Sequence, residues 1–194
     1  MKKLGFTLAE VLVSLTIIGV VAALVSPTIG KMMPNKEKVM AIKAYKALYD
    51  TTRMLIEEPG FYLNAISSGL GDTAQPTIPE YATSSYSGNN KYCNLLMKNM
   101  HTFGSSLPNN GGSWVTADFM TWTCSYSSGT ATISVDIDEK NTKNCYSSSS
   151  CDRPDTFTFN VAKDGMVTGK DALTKRYLET MDRLNDRKAD YAGL

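Results

Sequence analysis

The chain has 194 residues, enough for one domain with a real core plus an appendage. Twenty Lys and Arg against nineteen Asp and Glu leave it near neutral, without the basic excess that neutralising a phosphate backbone requires. Nucleic acid is therefore a poor candidate partner, and no charged tail of the kind that forms an interaction arm is present.

The first element is "GFTLAEVLVSLTIIGVVAALVSPTIG", residues 5–30. Between Lys3 and Lys31 its only charge is Glu10, and the run from Val11 to Val25 is aliphatic apart from Ser14, Thr16 and Gly19. With its flanks the run reaches the roughly 20 residues that cross about 30 Å of hydrocarbon as a helix. It is apolar on every side, which excludes an amphipathic surface helix. A secretory signal peptide would have a shorter apolar run, without an acid at its beginning. A plain anchor has no reason to keep Glu10 either, because a carboxylate costs up to roughly 2.5–3.5 kcal/mol at mid-membrane.

The stretch "KKLGFTLAEVLVSLTIIGVVAALVSPTI" resembles the prepilin leader of type IV pilins and type II secretion pseudopilins. The matching features are a short basic leader ending in Gly5, then Phe6, then Glu10 as the fifth residue after the glycine, then the long apolar run. Gly19 and Pro27 fall where that family tends to place a helix-weakening glycine and proline. The resemblance implies cleavage between Gly5 and Phe6 by a membrane-embedded prepilin peptidase, and methylation of the new amine at Phe6. It also implies a role for Glu10: in an array of packed N-terminal helices the carboxylate pairs with a neighbouring subunit's amine. Two charges that are costly singly in a low-dielectric bundle are tolerable together, and their pairing sets axial register.

One feature opposes the implied topology. Lys31, Lys36, Lys38, Lys43 and Lys46 follow the apolar run and outnumber Lys2 and Lys3 before it, so the positive-inside rule alone places the C-terminal part in the cytoplasm. The leader pattern and the cysteines argue for the other side.

Residues 31–58 continue as an amphipathic helix. Val39, Ile42, Tyr45, Tyr49, Thr52 and Ile56 recur every three or four residues as its expected apolar face, and Pro59-Gly60 ends it. Pro27 and Pro34 each remove a backbone hydrogen bond, so kinks or a local melt are expected there. A helix otherwise continuous from Phe6 to Glu58 would be about 80 Å long.

Residues 60–112 are rich in Gly, Ser, Asn, Thr and Pro, with a short helix expected in "KYCNLLMKNMHTFG". Strand patterns then take over. "SWVTADFMTWTCSY" and "GTATISVDID" alternate apolar and polar residues, the second placing Ile133, Val135 and Ile137 on one face. "DTFTFNVAKDGMVTG" does the same with Phe157, Phe159 and Val161, and Asp164-Gly165 is a hairpin signal. The aromatics Trp114, Phe119, Trp122 and Tyr126 read as core and cross-strand packing. The tail places Leu173, Tyr177, Met181 and Leu184 at helical spacing, which predicts a short helix docked on the head, with subunit contact as its other reading.

Cys93, Cys124, Cys145 and Cys151 lie in the second half at spacings that do not suit zinc, and only His101 accompanies them. An even count beyond a membrane segment fits disulfides and an oxidising compartment. Of three connectivities, Cys93–Cys124 with Cys145–Cys151 is favoured, because the second bond would staple "CYSSSSC"; buried free thiols are the alternative.

Asp136, Asp138, Asp152 and Asp155 gather where a loop could hold calcium through oxygen ligands, and some pseudopilins bind calcium in this region. The spacing is not an EF-hand, and turn formation is the simpler account. His101 and the many serines form no nucleophile motif, so no enzyme is expected and no cofactor beyond that calcium.

The sequence thus predicts an α+β fold, a long N-terminal helix packed on an antiparallel sheet. Its parts are a leader at 1–5, a membrane or filament-core helix at 6–30, an amphipathic helix at 31–58, and a disulfide-bearing, β-rich head with a C-terminal helix at 59–194. The expected protein is a pilin or pseudopilin, an inner-membrane precursor with its head outside the cytoplasm. Its expected partners are the prepilin peptidase and other pilin subunits, in a cell-surface pilus or a periplasmic pseudopilus. The alternatives are an uncleaved single-span binding or adhesion protein and a soluble enzyme released by signal peptidase.

Overall fold

The computed structural model describes residues 8–31, 36–103, 107–138, 145–146 and 154–179, with the side chains of the first helix described as far as Ala23. The chain divides into two compact units, Met1–Lys36 and Glu37–Leu194. Helix α1 (Leu8–Lys31) makes up the described part of the first and runs through Pro27 without ending there. Helix α2 (Lys36–Glu57) follows. The single rod expected from the sequence is therefore described as two helices; Pro34 lies outside the described residues.

The second unit is an α+β head. After α2 come α3 (Ala65–Ser68), several short 3₁₀ turns and α4 (Lys91–Asn99). A six-stranded antiparallel meander completes it, in the order β1 (Thr102–Phe103), β2 (Ser113–Thr116), β3 (Thr121–Ser127), β4 (Thr130–Asp136), β5 (Thr156–Val161), β6 (Val167–Gly169). Residues 172–179 are helical, the described part of the expected C-terminal helix. Tyr177 in it packs at 5.9 Å from Phe157. Met181 and Leu184 fall outside the described residues.

Alternation along the strands sorts the two faces of the sheet, as the sequence predicts. Ile133, Val135 and Ile137 point inward with Phe157, Phe159 and Val161, and none of them is exposed beyond 8%. The register places Cys124, Ile133 and Phe159 side by side across three strands, with Trp122, Val135 and Phe157 as the next row. The other face carries hydroxyls and amides. There Ser134 lies 3.4 Å from Thr158, and Thr132 donates to Asn160 at 3.4 Å.

Helix α2 covers the apolar face with only part of the stripe expected from its sequence. Thr52 is buried and Tyr45 and Ile56 pack against the core, but the line of contact is shifted to one side. Its buried residues are Ala41, Ala44, Leu48, Thr52 and Leu55. Val39 is 62% exposed and Tyr49 37%. Leu48 and Leu55 fill this line of contact, with two alanines and Thr52 between and beside them. Tyr45 reaches Phe159 at 6.3 Å from beside it.

Two local features anchor this packing. Thr52 Oγ1 lies 2.7 Å from the hydroxyl of buried Tyr92, joining α2 to α4 through the core. Asp164-Gly165 turns β5 into β6 as expected, with Gly165 at φ +86°. The backbone there favours glycine, and a Cβ would also push against the tip of the Ile56 side chain of α2.

The stretch "SWVTADFMTWTCSY" becomes a hairpin, because residues 117–120 turn between β2 and β3. Trp114 and Trp122 stack within it at 6.3 Å, and with Tyr126 they are buried as expected. Phe119 departs from that expectation. It sits at the turn with φ +63°, 62% exposed, against the equally exposed Phe103 at 5.7 Å.

Candidate functional site

Helix α1 is built mainly from aliphatic residues, and its only polar side chains among Val11–Ala23 turn back on the helix itself. Ser14 Oγ donates to the Glu10 carbonyl and Thr16 Oγ1 to the Leu12 carbonyl, both at 2.8 Å. Such back-bonding leaves the hydroxyls with no need of water. Every described side chain of α1 is exposed. Leu8, Leu12, Leu15 and Ile18 are each more than half exposed, and Val13, Ile17, Val20 and Val21 on the other sides are exposed to a similar degree. Each such residue gains about 1.5–3 kcal/mol when it is fully buried, so the helix carries a large unmet demand for an apolar environment.

Glu10 lies in the first turn of α1, where the helix dipole favours an anion. At Gly19 an added Cβ would meet nothing within 4 Å among the described residues, so no contact among them calls for glycine. Pro27 is in the helix, Gly5 and Phe6 lie outside the described residues, and the structure therefore brings together only the backbone positions of Glu10, Gly19 and Pro27 on one element. Among the described residues no helix is long and apolar enough to cross a membrane, so the transmembrane helix expected from the sequence is not confirmed.

Residues 1–26 carry the prokaryotic N-terminal methylation motif, the type IV pilin and pseudopilin signature. No curated protein and no solved structure matches the chain significantly. The motif supports a type IV pilin-like precursor, membrane-anchored and a substrate for prepilin peptidase, and it indicates a structural protein of the pilin type rather than an enzyme.

In the head, Cys93 and Cys124 form a disulfide with Cα atoms 5.7 Å apart, tying α4 to β3 as favoured from the sequence. Cys145 is also disulfide-bonded, and Cys151 lies outside the described residues. Asp155 is buried and hydrogen-bonded to Cys145. Its Oδ1 accepts the Cys145 backbone N–H at 2.7 Å and the Thr156 hydroxyl at 3.0 Å. Asp136 accepts the Asp138 backbone N–H at 3.0 Å, a turn-forming bond. Asp152 is outside the described residues, and among those described no three His, Cys or acidic residues are grouped to hold a metal.

His101 follows α4, exposed, with its carbonyl accepting the Ala117 N–H at 2.8 Å. It borders a hollow of about 290 Å³ with Lys43, Asp118 and Trp122. Lys43 of α2 pairs with Asp118 at 2.9 Å across that hollow. Burial pushes the Asp118 carboxyl up, but hydrogen bonds from Thr116 and Lys43 and the Lys43 charge hold it below its ordinary 3.8. A depressed acid adds stability above its unfolded value and loses it as pH falls through the folded one. Asp118→Asn should therefore cost under about 1 kcal/mol at neutral pH. The gap to wild type should close as melts are taken to progressively lower pH, past the carboxyl's ordinary 3.8 and through its depressed folded value.

The sequence reading missed a buried ion pair, Lys91 with Asp72. Lys91, at the start of α4, is only 2% exposed, with its ammonium 3.8 Å from Asp72 and 4.2 Å above the Tyr62 ring. Burial lowers its pKa and Asp72 partly opposes this. Nothing local in the sequence separates Lys91 from the exposed lysines, since its partners come from other parts of the chain.

Proposed function

We propose that this chain is a structural subunit of a type IV pilus or a type II secretion pseudopilus, cut after Gly5, N-methylated at Phe6 and polymerised through α1. Its parts are then the leader at 1–5, the membrane and filament-core segment at 6–30, and the amphipathic helix at 31–58 leading into the head. One observation carries the reading. The methylation motif runs directly into a helix whose large apolar side chains are exposed on all sides, and a subunit packed among copies of itself buries them. The sequence continues the apolar run to Val25, long enough to hold the precursor in the inner membrane before assembly.

In this reading Glu10 pairs with the Phe6 amine of a neighbour and sets axial register. The test is the intact mass and N-terminal sequence of protein isolated from its native host. An N-methylated Phe6 at the start is the expected result. A start at Met1 would overturn the proposal in favour of an uncleaved membrane-anchored binding protein. Glu10→Ala should still be processed, while the yield of sheared filaments or of cross-linked multimers falls by about tenfold or more, matching the loss of one partly buried charge pair. Unchanged assembly would remove the role given to Glu10.

A further inference from the structure

The side of α2 turned away from the sheet is sorted by charge along its length. At 100° per residue, Lys36, Val39, Lys43 and Lys46 share the face opposite the buried stripe, and so do Asp50, Arg53 and Glu57 further along. Near the start Val39 stands 62% exposed among three lysines. Near the end Asp50, Arg53, Met54, Glu57 and Glu58 line a hollow of about 330 Å³, in which Met54 is 40% exposed. The two ends differ in charge and in relief. One is a basic ridge with an apolar tip, the other an acidic hollow with an apolar patch.

Partners among the described residues do not account for this pattern. Lys36, Lys46 and Asp50 are all exposed and take part in no ion pair or hydrogen bond of the described residues. Lys43 reaches Asp118, and Arg53 pairs with Glu57 along the helix. Arg53 supplies the only positive charge in the acidic hollow, so the hollow keeps a net negative character.

We propose that this face is a self-complementary docking surface, on which the lysine ridge around Val39 of one copy seats in the acidic hollow around Met54 of the next. The inference rests on assembly through parallel N-terminal helices, since parallel α1 segments keep successive copies in the same sense along the axis. Fifteen residues separate Val39 from Met54, so the two copies are offset by about 22 Å along α2. A contact between two different patches of the same chain does not close on itself as a twofold contact does, and so propagates into an open filament. Charge complementarity selects this register, because sliding the copies level would set lysines against lysines.

Carbodiimide cross-linking of the full chain in its native host tests the proposal, since it joins lysines to carboxylates that touch. The wild type should give a ladder of multimers that weakens at high salt. K36E/K46E and D50K/E57K should each start at an N-methylated Phe6 and keep the head's melting temperature, yet lose at least about tenfold of the ladder. A chain carrying all four substitutions should regain it, because the swapped charges again complement one another. A ladder left at the wild-type level by either double variant overturns the proposal, as do a ladder that stops at dimers and a fourfold variant that is folded but stays unassembled. Wild-type chain that starts at Met1 and yields no multimers would instead overturn the subunit reading itself, and this inference with it.

Discussion

Replacing Cys93 and Cys124 together by alanine is expected to lower the stability of the head by about 3–4 kcal/mol in denaturant melts. The bond closes a loop with a sequence separation of 31, and cross-linking such a loop restricts the unfolded chain by roughly that amount. The native state adds to the effect, since both sulfurs are fully buried between α4 and β3, and Cys124 sits in a row with Ile133 and Phe159. The double variant is a cleaner test than reduction, which would also open the bond at Cys145. A loss under about 1 kcal/mol would mean that α4 is held to the sheet by core packing alone. The expected loss would make the head dependent on an oxidising compartment, as the proposed pilus or pseudopilus subunit requires.

Leu48→Ala should cost about 3 kcal/mol, the middle of the range for a buried leucine cut back to alanine. Leu48 is fully buried and central in the stripe by which α2 covers the sheet, with Ala44 and Thr52 one turn to either side. Val39→Ala is the control, because its side chain is mostly exposed and surface truncations stay within about 0.5 kcal/mol. Sequence periodicity alone leads to the opposite ranking, with Val39 in the apolar stripe and Leu48 outside it. Equal losses at the two positions would contradict the observed orientation of α2. The expected difference would also free Val39 for the intersubunit contact proposed for this face.

Much of the head was legible in the sequence because strands write their burial locally. Alternation with period two identifies Ile133, Val135 and Ile137, then Phe157, Phe159 and Val161, without knowledge of any partner strand, and all six are buried. Asp164-Gly165 and Pro59-Gly60 were readable for the same reason, since turn chemistry depends on the backbone of two or three residues. Phe119 misled the reading because it lies in an alternating stretch, and only the turn at residues 117–120 takes it off the strand and onto the surface. The ion pair of Lys91 with Asp72 and its place above Tyr62 left no local trace, because burial there comes from segments that meet only in the folded head.

The sequence by itself determined the part of this protein that needs no fold. Gly5, Phe6, Glu10 and the apolar run form a linear signal whose spacing can be read directly, and an unbroken aliphatic stretch is bound to seek an apolar environment whatever the head looks like. Only the tertiary structure decided which stripe of α2 turns inward. Ala41, Ala44, Leu48, Thr52 and Leu55 are no more apolar in pattern than the stripe beside them. Their advantage is how they fit one particular sheet and α4, which no pattern within the helix records. That same choice sets which lysines and acids face outward, and so which surface a second copy would meet.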